Sequence, residues 1–402
     1  MARPTPTAAA PSRGQIAASL GIGSAGLLIT ALSPILLGLL FHAGRLTAGE
    51  IGLVATAELL GMGLACGMAG AALPAEGMRR IGVAAGLAGL VFDLASAGAS
   101  HLGLVALRGG AGAAEGIMLW IAVAFIARQP LPERLAAIFL TAQVVSAWMV
   151  TALVGALVAP RWGPSGLLVT VGVTAGLSAL ASLFAPDRLE SAVDAMTPAT
   201  GLPPRRGWVA LAAMFAYSAA GTAVFVYLDP IAQAAHLPPG VVSLAVQASL
   251  AGQIGGGLLV STALAGKVRY PVIFGCVGVA VVAVYLAFLA GVPAIGFIAC
   301  TAVTGFAGMV MTPFFVPMAL AADPLGRAAV MGSGAQILGG AGGPFVAALV
   351  SGQPARVLMI SIGWIALSVL AAGWLAATHR PVEAPTESPT GPGMNPALTE
   401  PD

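Results

Sequence analysis

Twelve apolar runs, each about 20 residues or longer, follow one another along this chain with only short polar breaks between them. About 20 apolar residues carry a helix across a bilayer core, and in lipid only helices and closed barrels satisfy their own backbone. A barrel would show short alternating segments, whereas these runs are continuous. The pattern predicts an all-α integral membrane protein. Composition agrees, since 58% of residues are hydrophobic, 8% are charged and the mean hydropathy is +0.96.

The spans are predicted near 15–42, 49–73, 81–105, 106–127, 134–159, 164–185, 207–233, 239–265, 271–291, 293–319, 326–352 and 355–378. The first run, of about 28 residues, is too long for a signal-peptide core and is read as a retained span. With the N-terminus in the cytoplasm, thirteen of the seventeen basic residues fall on the inner side, so both termini are expected inside and the location is the cytoplasmic membrane. The polar segment "PDRLESAVDAMTPATGLPPRR" at 186–206 divides six spans from six. The expected organisation is therefore a cytoplasmic tail at 1–14, a six-helix bundle at 15–185, a cytoplasmic loop at 186–206, a second bundle at 207–378 and a disordered tail at 379–402. Cys66, Cys276 and Cys300 lie inside apolar runs without metal-ligand spacing and read as packing residues.

The two halves resemble each other. "RLAAIFLTAQ" (134–143) parallels "RAAVMGSGAQ" (327–336), and "AELLGMG" (57–63) parallels "ASLAGQI" (248–254), at offsets of about 193 and 191.

Charge inside the spans is the strongest functional signal. At 1.5 Å per residue, Glu58, Asp93 and Glu115 lie roughly 12–15 Å below the outer ends of spans 2, 3 and 4, in one layer of the N-terminal half. Arg108 and Glu115 are two turns apart on one face, with Cα atoms roughly 10 Å from each other, too far for an easy direct salt bridge along the helix. The gap leaves room for water, a neighbouring acid or a ligand. Each uncompensated charge at mid-membrane costs at least about 2.5–3.5 kcal/mol, so these groups need mutual pairing or a polar cavity. Carboxylates crowded together away from water hold protons more firmly, which suits them to proton coupling. The alternative is a fixed structural bridge between Arg108 and one acid.

A chain of six plus six spans, with parallel halves and a central loop, resembles the major facilitator superfamily of secondary transporters. That resemblance implies two pseudo-symmetric six-helix bundles and alternating access about a central site. "LVALRGGAG" (104–112) is similar to the span-4 signature of proton-driven drug antiporters, with Leu104, Arg108 and Gly112 in register and Ala111 where Gln is usual. The loop after span 2 keeps Gly70, Gly77, Arg79 and Arg80 of the superfamily's gating signature, but Pro74 and Ala75 replace its Asp and Arg. Span 5 lacks the Gly-Pro run of antiporters. "GGAGGP" (339–344) in span 11 is expected to permit close helix contact and bending.

In this fold, spans 1, 4, 7 and 10 resemble cavity-lining elements. That points to Tyr217, Tyr227 and Asp229 of span 7 and Met311 and Phe314 of span 10, with Arg108, as substrate-binding candidates. Thr301, Thr304 and Thr312 accompany them, and Asp229 is alternatively an interfacial residue.

No nucleotide motif, metal cluster or nucleophile constellation is present in the sequence, so no enzyme activity and no cofactor is expected, the proton gradient being the energy source. The predicted function is proton-coupled export of small amphipathic or apolar compounds by a monomer, with protons, a small-molecule substrate and the lipid bilayer as its partners and no nucleic acid. Import of a small organic anion by proton symport, with Arg108 holding the carboxylate, is the alternative; a non-transporting sensor or scaffold is the reading from another class.

Overall fold

The computed structural model describes residues 11–73, 76–129, 132–188, 202–238, 240–264, 267–350 and 353–378. Pro74, Ala75, residues 1–10 of the predicted first tail, most of the central loop and the whole of 379–402 lie outside the described residues.

Local sequence sets the helix boundaries. Ser12 and Gln15 form a reciprocal capping box that starts α1 (Arg13–His42), and Thr47 with Glu50 does the same for α2 (Ala48–Ala72). α3 (Met78–Ser96) follows Gly77, whose φ of 73° suits glycine, and α4 (His101–Ala127) completes the first four crossings. α5 (Pro132–Leu153) runs through a π turn into α6 (Ala159–Ser182), where the chain leaves helical geometry at Gly163 (φ 56°, ψ −150°).

In the second half, α7 (Arg205–Val226) breaks at Tyr227 and resumes as the short α8 (Leu228–Ala234), together forming one crossing. α9 (Val241–Leu259) and α10 (Tyr270–Ala290) come next. α11 (Ala294–Met311) continues through a 3₁₀ turn into α12 (Phe315–Ala322), and α13 (Arg327–Leu349) and α14 (Pro354–Ala377) close the bundle. Nine stretches among the described residues are long and apolar enough to span a bilayer, one of them, Ile138–Ser182, holding both α5 and α6. α3 and α13 complete the twelve, α3 being the more charged because it carries Arg79, Arg80 and Asp93.

Neighbours repeat between the halves. α2 packs on α4 as α9 packs on α11, α3 on α6 as α10 on α14, and α1 on α6 as α7 on α14. The seams between halves repeat too, with α2 against α13 and α5 against α9. The molecule is an integral membrane protein of two pseudo-symmetric six-helix bundles.

Glycine makes the tightest of these contacts. A Cβ at Gly112 of α4 would collide with the Glu58 carbonyl of α2, and one at Gly305 of α11 with the Ser249 carbonyl of α9. Gly112→Ala should therefore lower stability by about 1–3 kcal/mol despite its better helix propensity. Gly363→Ala, with nothing within 4 Å, should leave thermal unfolding in detergent unchanged or raise its midpoint.

The turn between α12 and α13 is held by Asp323, which accepts from Arg327 Nε at 3.2 Å, Arg327 Nη2 at 3.1 Å and the Ala328 amide at 3.1 Å. These hydrogen bonds, chiefly those from Arg327, hold its carboxyl below the ordinary carboxylate range. A depressed folded value stabilises the protein above the unfolded value of about 4, and that contribution is lost as pH falls below it. Asp323→Asn should lower the unfolding midpoint at neutral pH and flatten its decline on the acid side, measured by thermal scans across pH.

Candidate functional site

Among the described residues Arg108 is the largest side chain that is fully buried, and three carboxylates converge on it. Its Nη2 donates to Glu58 Oε1 at 2.5 Å and its Nε to Glu58 Oε2 at 3.3 Å, a two-pronged pairing between α4 and α2. Its Nη1 donates to Asp93 Oδ1 on α3, and Nη2 also reaches Glu115 Oε1 at 3.3 Å. Gly112, one turn from Arg108, makes this possible by letting α4 lie directly on the backbone of α2 at Glu58.

The expectation that Arg108 and Glu115 stand too far apart for direct contact is corrected by that 3.3 Å bond. Both side chains are long and lie on one face of α4, and their combined reach closes the gap left by their Cα atoms. The gap also holds neighbouring acids, since Glu58 and Asp93 share the same guanidinium.

All four groups are buried, with three carboxylates facing one guanidinium. With every acid ionised the cluster carries two uncompensated negative charges, and it becomes neutral on holding two protons. Among the described residues, Asp93 Oδ2 and Glu115 Oε2 have no hydrogen-bond partner.

Between the halves lies a cavity of about 420 Å³. Glu58 is the one member of the cluster that lines it, while Arg108, Asp93 and Glu115 are closed off behind it. Thr30 and Ser33 of α1 share the wall with Glu58, and Tyr217 and Thr222 of α7 face them. α9 adds Ser249 and Gln253, and α11 adds Thr301, Thr304 and Met309.

Of the residues singled out in the sequence as substrate contacts, Tyr217 lies on the cavity, and so do Thr301, Thr304 and Thr312, named beside them. Met311 and Phe314 are buried in the apolar core of the second half. Ser249, Tyr285 and Phe288 line the cavity without having been anticipated; the repeat offset of about 191 maps Glu58 onto Ser249 and was the one signal that pointed there.

Tyr227 and Asp229 belong instead to a clasp between halves at the end of the bundle marked by His42. The Tyr227 hydroxyl donates to the Ala48 carbonyl at 3.0 Å and accepts from the Gly52 amide at 3.1 Å. Asp229 pairs with His42 at 3.1 Å and accepts from Gln233 at 2.6 Å, and Thr56 donates to the Ala341 carbonyl of α13 at 3.1 Å. Losing the Tyr227 pair in Tyr227→Phe should shift the equilibrium toward separation at this end by about 1–3 kcal/mol. Spin labels at the exposed positions Ala43 and His236 should then report a longer distance distribution.

At the opposite end, the Arg79 amide donates to Asp187 and its Nε to the Ala185 carbonyl at 2.8 Å, and exposed Glu76 lies 3.8 Å from Arg188. These contacts stay within the N-terminal half. Gly70 lies near the Trp120 indole, and Gly77 turns the chain into α3. Arg80 opens α3 as an exposed residue beside Arg79.

Neither a family model nor a curated protein sequence matches the chain. Solved structures do. A bacterial homologue of the human lysosomal transporter Spinster, inward-facing and unoccupied, aligns with a TM-score of 0.67 at 13% identity over 91% of this chain and 97% of that one. The nucleoside transporter NupG aligns with a TM-score of 0.68 at 14% identity over 91% of this chain and 99% of its own. The human organic anion transporter MFSD10 (TETRAN) gives a TM-score of 0.60 at 18% identity over 91% of this chain and 100% of its own. At these identities the likeness is one of fold, that of the major facilitator superfamily.

Proposed function

We propose that the protein is a secondary active transporter of that superfamily, which exports small amphipathic or apolar compounds across the cytoplasmic membrane in exchange for protons. The observation that carries this reading is the double position of Glu58, which lines the central cavity and holds the buried Arg108. A proton arriving at Glu58 weakens its hold on Arg108 and changes the charge a substrate meets. The alternating fit of proton and substrate at one carboxylate is what exchange requires.

The positions of Arg79, Arg80, Arg128, Arg205 and Arg206 favour the Arg79 end as cytoplasmic, with both termini on that side. On that orientation the Tyr227 clasp closes the cavity toward the outside. The organic-anion alternative is less well supported, because Arg108 is engaged by three carboxylates and is absent from the cavity wall. Two of the structural neighbours are named for different substrates, nucleosides and organic anions, so the reading rests on this cavity rather than on theirs.

The test is purified protein in liposomes loaded with a pH-sensitive dye, with an imposed pH gradient and a panel of cationic, neutral and anionic compounds. Substrate-dependent proton movement is expected. No movement with any compound, in protein shown to be folded, would count against transport and favour the sensor reading.

A further inference from the structure

The pseudo-twofold relation of the halves can be followed residue by residue through their glycine contacts. Gly61 lies over the Gly109 carbonyl and Gly112 over that of Glu58, just as Gly252 lies over Ala302 and Gly305 over Ser249. The matching positions for Glu58, Arg108 and Glu115 are therefore Ser249, Thr301 and Gly308. On α3 and α10, Gly86 meets Ala179 as Gly278 meets Val369, which pairs Asp93 with Tyr285 seven residues further along. All four counterparts line the cavity. Where the first half fills its interior with an ion cluster, the second leaves that volume open, with nothing within 4 Å of a Cβ at Gly308.

The open side is rich in hydroxyl acceptors, while Tyr217, Ser249 and Gln253 can also donate. Thr301, Thr304 and Thr312 spend their hydroxyl protons on the carbonyls of Phe297, Thr301 and Gly308, at 2.8, 2.7 and 2.8 Å. Across the cavity, Thr30 and Ser33 do the same toward Leu27 and Ile29 at 2.6 and 3.0 Å. A hydroxyl so engaged keeps its lone pairs as acceptors. Among the described residues, Glu58 is the one charged group on the wall, which holds no Arg, Lys or His. An anionic headgroup would meet no cation there, whereas an ammonium would meet several acceptors. Phe225 and Phe288 offer ring surface for the hydrocarbon and for a cation.

We infer that the cavity recognises a protonated primary or secondary amine on an apolar body, with the Ser249, Thr301 and Gly308 wall and Glu58 on opposite sides of the ammonium. This rests on the transport reading above for its biological sense, but binding can be measured apart from it.

The experiment is equilibrium binding to purified full-length protein in detergent, without a gradient, of four probes on one naphthylethyl skeleton: the primary amine, its trimethylammonium, the alcohol and the carboxylate. The amine should bind most tightly. The trimethylammonium, which keeps the charge but has no N–H, should be about tenfold weaker, and the carboxylate should show no saturable binding. Thr301→Val, or Thr304→Val should the first fail to fold, should weaken the amine several-fold and leave the trimethylammonium unchanged. Alcohol or carboxylate binding as tightly as the amine, equal losses for all probes in both variants, or no amine binding would overturn the inference. Amine binding without any proton flux in liposomes would sustain it while counting against coupled transport. Coupled flux of the carboxylate would do the reverse.

Discussion

Arg108→Met should be the most destabilising single substitution among the charged residues of the spans. It keeps most of the side-chain volume but leaves Glu58, Asp93 and Glu115 facing one another with no cation. Removing one partner of a buried ionic group costs about 3–5 kcal/mol, because the remaining charge stays desolvated. The expected result is a large fall in the detergent unfolding midpoint and in the yield of folded protein. Adding Asp93→Asn and Glu115→Gln to Arg108→Met should restore much of the loss, since the remaining acid, Glu58, borders the cavity. A triple variant no more stable than Arg108→Met would mean that guanidinium packing, rather than charge balance, holds α2, α3 and α4 together.

Glu58→Gln should abolish substrate-driven proton movement in liposomes, leaving only the leak of empty vesicles. The amide keeps the length of the side chain and an oxygen for Arg108, so the fold and the shape of the cavity survive, while the group that exchanges a proton with the cavity is gone. Substrate binding without a gradient should persist for an uncharged probe such as the naphthylethyl alcohol. Asp93→Asn is the informative contrast. Asp93 is 1% exposed and lies behind Arg108, so its variant should still move protons with substrate. The opposite pattern, with flux lost in Asp93→Asn and kept in Glu58→Gln, would reverse the assignment of the exchanging group.

The sequence made the ion cluster legible because charge in lipid is costly, so Glu58, Asp93, Arg108 and Glu115 each demanded a partner. A rise of 1.5 Å per residue was enough to set the acids in one layer. That α3 joins the cluster through Asp93 depends on the crossing of helices, and the contact between Arg108 and Glu115 depends on the reach and rotamers of two long side chains; a count of residues contains neither. The cavity wall was harder to see. Thr301 was marked by its place on a lining span, but Ser249 looks like the many small hydroxyl residues of any helix, and only its place in the repeat marks it. Tyr227 and Asp229 read as pathway residues because they are polar groups at the end of a lining span, yet the break at Tyr227 turns them to the seam with α1 and α2.

The glycine contacts also have a mechanical meaning. Where α2 meets α4 and α9 meets α11, backbone lies against backbone, and there is no layer of side chains whose rotamers change as one helix slides over another. Gly339 and Gly343 of α13 fix it to the carbonyls of Phe215 and Ala219 in α7 in the same way. Shear within either half is therefore resisted by hard atomic overlap. The seam of α2 with α13 carries one contact of the same kind, Gly52 against the Pro344 carbonyl beside the Tyr227 hydroxyl, so any parting of the halves at that end must lift backbone off backbone rather than slide side chains past one another.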